Sequence, residues 1–449
     1  MRTLDFSGRP EDLGPAISRQ ERADYVYMYP PRQSYRPIVP TVALSQVKSS
    51  LADEGPLNLY FHVPFCKQIC AYCNLFAVVG SSTDEHSNYV DLLMREFDFY
   101  LPLIVHRRID TIYIGGGTPS LVSPLLIAKL IDHVSKRMKI DISLIPEVAL
   151  EVAPESVTKD QLVGFRDAGI NRVNLGMQTW DPKELASTGR RSGILQRDRP
   201  VEIAMSTGFD NVCVDLIYGL PAQTNDSWDD SLKRAIALRP PTICCYALTL
   251  RDKTGYSKRG YTVTDNPTQY YRYDRAVDIL GHAGYVQQTH VRWVLPQLGG
   301  YRQKENHWAG QDLLGFGAGA RSYLKNVDTR NGYSVTHRRA SLASYVERIQ
   351  SSGYALTSGF EMDSAERLRK ATILGLGGLD RLGLTAITGR DVADHFPREF
   401  DVLSSGGYIE MTEGSVQLTS SGQKYRDVIV QLFFSKRVMD LVAEFNYDE

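Results

Sequence analysis

Six short apolar runs, each followed by a longer helical pattern, dominate the middle of this chain and restrict it to a small set of folds. The runs are LNLYFHV ending at Val63, DTIYIGG at 110–116, VALEVAP at 148–154, RVNLGMQ at 172–178, VCVDLIYGLP at 212–221 and TICCYALTL at 242–250. Patterns such as YVDLLMREFDFYLPLI, LLIAKLIDHVSKRM, KDQLVGFRDAG and SWDDSLKRAIAL lie between them. Strands that are apolar throughout need cover on both faces, and strands that alternate with helices form parallel β/α units. The chain is therefore expected to be an α/β protein built on a parallel barrel or a doubly wound sheet, with its functional groups at the C-terminal ends of the strands.

The polar and glycine-rich residues do collect at those ends. A cysteine-rich loop follows the first strand, Gly115-Gly116-Gly117-Thr118 follow the second, Glu151 lies in the third, Gln178 ends the fourth and Asp215 lies in the fifth. One mouth is expected to hold them all. In the run YFHVPFCKQICAYCNLF, Cys66, Cys70 and Cys73 form a C-x-x-x-C-x-x-C triplet. Closely spaced thiolates of this kind can hold an iron-sulfur cluster, and three of them leave one iron of a 4Fe-4S cubane open to a water, a fourth residue or a substrate. Zinc is the competing occupant, although structural zinc takes four ligands and no second C-x-x-C or H-x-x-x-H accompanies the triplet. Simple burial of three small thiols is the third reading.

With 449 residues and 43% hydrophobic content the chain can bury a large core, and its length allows two or three domains. Its 51 basic and 52 acidic side chains nearly cancel, leaving no electrostatic drive toward nucleic acid or an anionic membrane surface. No apolar run approaches the roughly 20 residues needed to span a bilayer. The opening MRTLDFSGRPEDLGP lacks a charged segment followed by an apolar one, so the chain is expected to stay in the cytoplasm. Cys213, Cys244 and Cys245 lie in apolar runs and read as core residues. Before residue 56 the chain is rich in Tyr, Pro and Arg, as in YVYMYPPRQSYRP, and has weak periodicity, which suggests an extended arm or lid. Beyond about residue 325 the parallel pattern gives way to helices and a short hairpin. The expected organisation is an arm over 1–55, a barrel over 56–325 and a small α+β, winged-helix-like domain over 326–449.

The cysteine triplet behind Tyr60-Phe61-His62-Val63-Pro64-Phe65, followed in order by GGGTPS, LEVAPESV, GINRVNLGMQTW and DLIYGLPAQT, resembles the HemN-like superfamily of radical S-adenosylmethionine enzymes over roughly residues 25 to 435. That superfamily holds the oxygen-independent coproporphyrinogen oxidases, a haem chaperone, a haem-ring-opening methyltransferase, and class C radical methyltransferases and cyclopropanases. The resemblance implies a partial (β/α)6 TIM-like barrel. It also implies a 4Fe-4S cluster on Cys66, Cys70 and Cys73 whose open iron chelates S-adenosylmethionine, and reductive cleavage to a 5'-deoxyadenosyl radical that abstracts hydrogen from carbon. By the same resemblance two S-adenosylmethionine molecules are held. Tyr60, Gly116, Gly117, Thr118 and Glu151 match contacts to the first, and Tyr72, Gln178, Arg190, Asp215 and Ala247 match contacts to the second. Tyr60, Gln178 and Asp215 join the three cysteines as catalytic candidates. A flavodoxin- or ferredoxin-type electron donor, a small-molecule substrate and a monomeric state complete the expectation.

The chain departs from the porphyrinogen oxidase on the substrate side. Glu305-Asn306-His307-Trp308 stands where the oxidase carries a Q-G-Y segment, and Arg321 replaces an isoleucine of the following glycine-rich strand, where it is counted with the cofactor-side residues. A fourth cysteine found in the oxidase is absent, since Asn74 follows Cys73. His307 would be a haem ligand under a chaperone reading, though a lone His beside Trp is more often packed. Residues for both S-adenosylmethionine molecules are kept and oxidase-specific ones are lost. The leading expectation is accordingly methyl or methylene transfer to an sp2 carbon of an unsaturated, heteroaromatic small molecule. Tetrapyrrole chemistry and haem delivery are the alternatives.

Overall fold

The computed structural model describes residues 7–190, 197–334 and 336–445. At its centre β1 (Leu57–Val63), β2 (Ile109–Gly116), β3 (Glu147–Val152), β4 (Arg172–Gln178), β5 (Asn211–Tyr218) and β6 (Thr242–Ala247) lie side by side in chain order. Each pairs in parallel with the next. The six apolar runs of the sequence are these six strands. Past β6 the sheet continues into the antiparallel hairpin of β7 (Val286–Thr289) and β8 (Arg292–Val294). At the other edge β9 (Asp312–Phe316) runs parallel to β1, and β10 (Arg321–Tyr323), β11 (Val327–Asn331) and β12 (Leu356–Glu361) follow antiparallel. The result is an open, partial TIM-like barrel. β9 adds a seventh parallel strand to the six expected. It is only five residues long and runs into the glycine-rich GFGAGA segment, so it lacks the long apolar run that marks the others.

Helices cover the outer face, and their starts are written locally. Ser82 caps Thr83–Ile104, Ser123 precedes Pro124 at the start of Pro124–Met138, and Thr158 with Gln161 forms a capping box on Lys159–Asp167. Their apolar faces join the buried faces of the strands in one large core that includes Leu59, Phe61, Phe97, Ile131, Phe165 and Trp228.

A second core differs from the sequence expectation. The segment before residue 56 is not simply extended, because it contains the helices Pro10–Ser18 and Pro40–Leu51. Leu13, Ala16, Met28, Tyr29 and Tyr35 pack with Phe360, Ile373, Leu374, Phe400 and Phe433 in a cluster apart from the barrel core. Around it the C-terminal part adds short helices and a three-stranded antiparallel sheet of β13 (Leu379–Asp380), β14 (Ile409–Met411) and β15 (Ser415–Leu418). Weak periodicity hid the arm helices because their apolar positions answer to distant partners: Leu13 and Ala16 to the C-terminal core, and Ala43, Val47 and Leu51 of the second helix to the barrel core. No helix among the described residues is long and apolar enough to cross a membrane.

Candidate active site

The cysteine loop leaves β1 through Pro64 and lies across the C-terminal ends of β1 and β2. Gly117 N donates to Val63 O at 2.8 Å, and Val78 N closes the loop onto Pro64 O at 2.6 Å. Two glycines make this approach possible. Gly116 has φ +125°, and a Cβ there would meet the His62 ring at 2.8 Å. A Cβ on Gly117 would lie 2.8 Å from Pro64 O and Phe65 O. His62 in turn ties the loop to the strand: its Nδ1 pairs with Tyr60 OH at 3.0 Å and its Nε2 with Phe76 O at 2.9 Å. Burial lowers its pKa to about 4, so it is a neutral strut.

Cys66, Cys70 and Cys73 are all half-buried at the rim of a cavity of about 490 Å³. Gly116, Gly117, Thr118, Glu151, Gln178, Arg190 and Asp215 share its lining. The one mouth expected from the strand ends therefore exists. Cys66 Sγ lies 3.3 Å from Thr118 Oγ1, and Cys70 Sγ accepts from Arg190 Nε at 3.2 Å. Burial pushes the Cys66 thiol up and that of Cys73 to about 11, so both are neutral until a metal takes the proton's place. Three thiols on one loop, beside backbone laid bare by two glycines, fit an iron-sulfur cluster with a ligand seated against it.

Glu151 reaches across from β3. Its carboxylate accepts from Tyr113 OH and from Gly116 N, each at 2.9 Å. Burial outweighs these bonds and raises its pKa to about 7. On the opposite wall Gln178 adopts φ +66°, a left-handed conformation uncommon outside glycine that is found where a side chain must be aimed. Asp215 on β5 is raised by burial to about 6. Arg190 is not a solvated helix charge. Its side chain is 16% exposed, pairs with Glu155 at 3.3 Å, donates to Gly176 O and bridges β4 to the cysteine loop.

Three expected residues stand elsewhere. Tyr60 lines neither cavity and packs behind the rim against Tyr113, with ring centroids 6.0 Å apart. Ala247 and Arg321 belong to a second cavity of about 320 Å³, which meets the first at Tyr72 and Leu75. Its walls come largely from residues that were not picked out as site residues. Tyr25 and Tyr27 of the arm face Tyr218, Tyr246 and Tyr270, with Arg22 among them. Arg22 sits 5.2 Å from the Tyr270 ring, and its buried Nη1 has no hydrogen-bond partner among the described residues. The YVYMYPPRQSYRP composition was the available signal. His307 is packed: it is 5% exposed, its ring lies 4.7 Å from that of Tyr323, and it lines neither cavity.

Residues 60–235 match the family model of the radical SAM superfamily. A heme chaperone HemW of Lactococcus lactis is 30% identical over 325 residues, spanning 71% of this chain and 82% of that relative. The chain belongs to the HemN-like radical S-adenosylmethionine superfamily. An oxygen-independent coproporphyrinogen III oxidase of Bradyrhizobium diazoefficiens is 27% identical over 369 residues, spanning 78% of this chain and 79% of the relative. The solved structure of the Escherichia coli coproporphyrinogen III oxidase HemN shares the fold, with a TM-score of 0.79 over 91% of this chain and 96% of that one at 22% identity. As a radical S-adenosylmethionine enzyme of this type, the protein uses a 4Fe-4S cluster and S-adenosylmethionine.

Proposed function

We propose that this protein is a radical S-adenosylmethionine enzyme that modifies a tetrapyrrole bearing carboxylate side chains. The observation that carries the reading is the second cavity. It shares Tyr72 and Leu75 with the cluster cavity, is walled by tyrosine rings, and is lined by Arg22, Arg32, Arg251, Arg321 and Lys424 together with Asp24 and Asp427, Arg251 being paired with Asp24 at 2.6 Å. Aromatic faces suit a flat macrocycle, and guanidinium groups suit its acid substituents. The curated relatives are named for coproporphyrinogen oxidation and for heme chaperoning, which favours this substrate class over the heteroaromatic small molecule expected from the sequence.

In this reading Cys66, Cys70 and Cys73 hold the cluster, which together with S-adenosylmethionine supplies a radical able to take hydrogen from unactivated carbon. Gly116, Gly117 and Thr118 let the backbone approach the methionyl group, and Glu151 accepts hydrogen bonds from its ammonium or ribose. Tyr60 acts indirectly, by fixing His62 and hence the loop. Gln178, Arg190 and Asp215 form the opposite wall, with Tyr72 and Ala247 at the passage to the second cavity, where a second S-adenosylmethionine would lie between the radical source and the substrate. Arg32 and Arg321 meet the substrate's acids.

Anaerobic reconstitution with coproporphyrinogen III, S-adenosylmethionine, a low-potential reductant and a one-electron acceptor, which takes the electron left when the substrate radical loses carbon dioxide to form a vinyl group, tests the proposal. Carbon dioxide released together with 5'-deoxyadenosine is the expected result. Methyl or methylene transfer is the second reading, favoured by the convergence of Gln178, Arg190 and Asp215 on one wall. S-adenosylhomocysteine formed with a methylated product and without carbon dioxide would replace the first reading by the second. Stoichiometric haem binding with no substrate-coupled 5'-deoxyadenosine would replace both by haem carriage.

A further inference from the structure

Two of the cysteines that the sequence assigns to core packing meet in the barrel interior. Cys213 Sγ on β5 lies 3.7 Å from Cys244 Sγ on β6 and 3.7 Å from Asp215 Oδ1. Ligand atoms from the three residues all fall within 4.8 Å of one another. The two cysteines are 0% and 1% exposed, while Asp215 reaches the cluster cavity.

The strand register restricts what this pair can do. Cys213 stands opposite Thr242, and Cys244 stands opposite Asp215, so the two cysteines are diagonal neighbours offset by two residues. Strands about 4.8 Å apart with a rise of about 3.3 Å per residue put such Cα atoms roughly 8 Å apart. That is beyond the reach of an unstrained disulfide, whose Cα atoms lie at about 4.4–6.8 Å. A metal ion between the sulfurs suits the spacing. Tetrahedral zinc with Zn–S near 2.3 Å sets its sulfurs about 3.8 Å apart and a sulfur about 3.6 Å from a carboxylate oxygen. Both observed separations fall within about 0.2 Å of those edges.

The surroundings supply charge to match. Arg172 on β4 is 1% exposed; among the described residues its three guanidinium nitrogens have no hydrogen-bond partner, its nearest acid is Glu147 at 3.6 Å, and its guanidinium lies 3.9 Å from the centre of the Tyr301 ring. The contact with Cys244 and burial push the Cys213 thiol well up, and burial pushes Asp215 up to about 6; Arg172 acts against both shifts without being able to coordinate a metal. Two thiolates and a carboxylate carry three negative charges, of which a divalent ion offsets two; Arg172, shared with Glu147, offsets part of the third.

We propose that Cys213, Asp215 and Cys244 form a second metal site, separate from the cysteine loop, that binds a thiolate-seeking divalent ion of the zinc class. Loading releases the two thiol protons and changes no oxidation state. The ion takes three protein ligands and a water as the fourth, and it fastens β5 to β6 beneath the cavity wall that Asp215 forms. The inference does not depend on which substrate the enzyme modifies.

The test uses the full chain with Cys66, Cys70 and Cys73 all replaced by Ala, so that the loop can take neither iron nor zinc. After exposure to zinc and exhaustive dialysis, metal analysis is expected to find about one zinc per chain. Adding Cys213→Ser or Cys244→Ser should cut this at least tenfold, whereas Cys245→Ser, equally buried but outside the trio, should retain it. Cobalt(II) titration of the parent triple variant should give a thiolate-to-cobalt charge-transfer band that saturates at one equivalent. Absence of both zinc and the band from the parent overturns the proposal, even if the serine variants fail to fold. Zinc retained in the Cys213→Ser/Cys244→Ser double variant overturns it as well.

Discussion

Glu151 shows how a single side chain in this site carries both binding and instability. Its two hydrogen bonds hold the carboxylate at the cavity wall, yet burial raises its pKa to about 7. A carboxyl raised on folding contributes its stability below its unfolded pKa of about 4.3, and that contribution is lost as pH rises through the folded value. Glu151→Gln removes this titration. Between pH 5 and pH 8 the wild-type protein should therefore lose more stability than the variant, by on the order of 2 kcal/mol once solvent access to the half-buried group is allowed for. Urea unfolding at the two pH values measures the difference, and equal slopes would reject the assignment. Asp215 and Glu96 are raised similarly and titrate in both proteins. Glu151, Gln178 and Asp215 could be grouped at one mouth from the sequence because the fold class turns the C-terminal halves of its strands toward one face, and all three line the first cavity. Arg172 and the Cys213–Cys244 pair were not, since their meaning depends on which strands are neighbours and in what register.

At the scale of elements, the contact between the β2 turn and the cysteine loop is the joint that matters. Gly117 is required by space rather than by φ, because the atoms a Cβ would meet belong to the backbone of Pro64 and Phe65 and cannot swing aside. Gly117→Ala should cost about 1–3 kcal/mol through overpacking and should displace the loop that carries Cys66. Iron content after anaerobic reconstitution should fall together with the unfolding midpoint. Gly14→Ala is the matched control. Gly14 lies in the helix Pro10–Ser18, and a Cβ there meets nothing within 4 Å. It should leave iron content unchanged and add up to about 1 kcal/mol through helix propensity. Loss of iron in neither variant would show that the loop tolerates the displacement. The six strands were readable because burial on both faces writes itself as a continuous apolar run, whereas β9, short and leading into glycines, carries no such signature.

Over the whole molecule, the N-terminal segment joins parts that the sequence presents as separate. It walls the second cavity with Tyr25 and Tyr27, and a few residues later it buries Met28 and Tyr29 in the C-terminal core. Arg426 Nη1 donates to Val26 O at 2.9 Å, and Val26 N donates to Asp427 Oδ1 at 3.0 Å, so the backbone of the arm is held from the C-terminal side. Tyr29 OH donates to Glu366 Oε2 at 2.6 Å and accepts from Ser435 N at 3.2 Å. Weak local periodicity made this segment look like a lid, because its contacts are almost all long-range. Its anchoring yields a prediction that separates substrate binding from cluster binding. Tyr29→Phe keeps the ring but leaves the Glu366 carboxylate with one donor fewer, at a cost of about 1–3 kcal/mol. The unfolding midpoint should drop and affinity for the proposed tetrapyrrole substrate should weaken, because Tyr27 and Met28, two and one residues away, line the second cavity. Iron per chain should stay at the wild-type level, because the cysteine loop is fastened to β1 and β2 by bonds that do not involve the arm. Parallel loss of iron and substrate binding in this variant would mean that the two cavities form one cooperative unit, while unchanged stability would mean that the arm is not held at Tyr29.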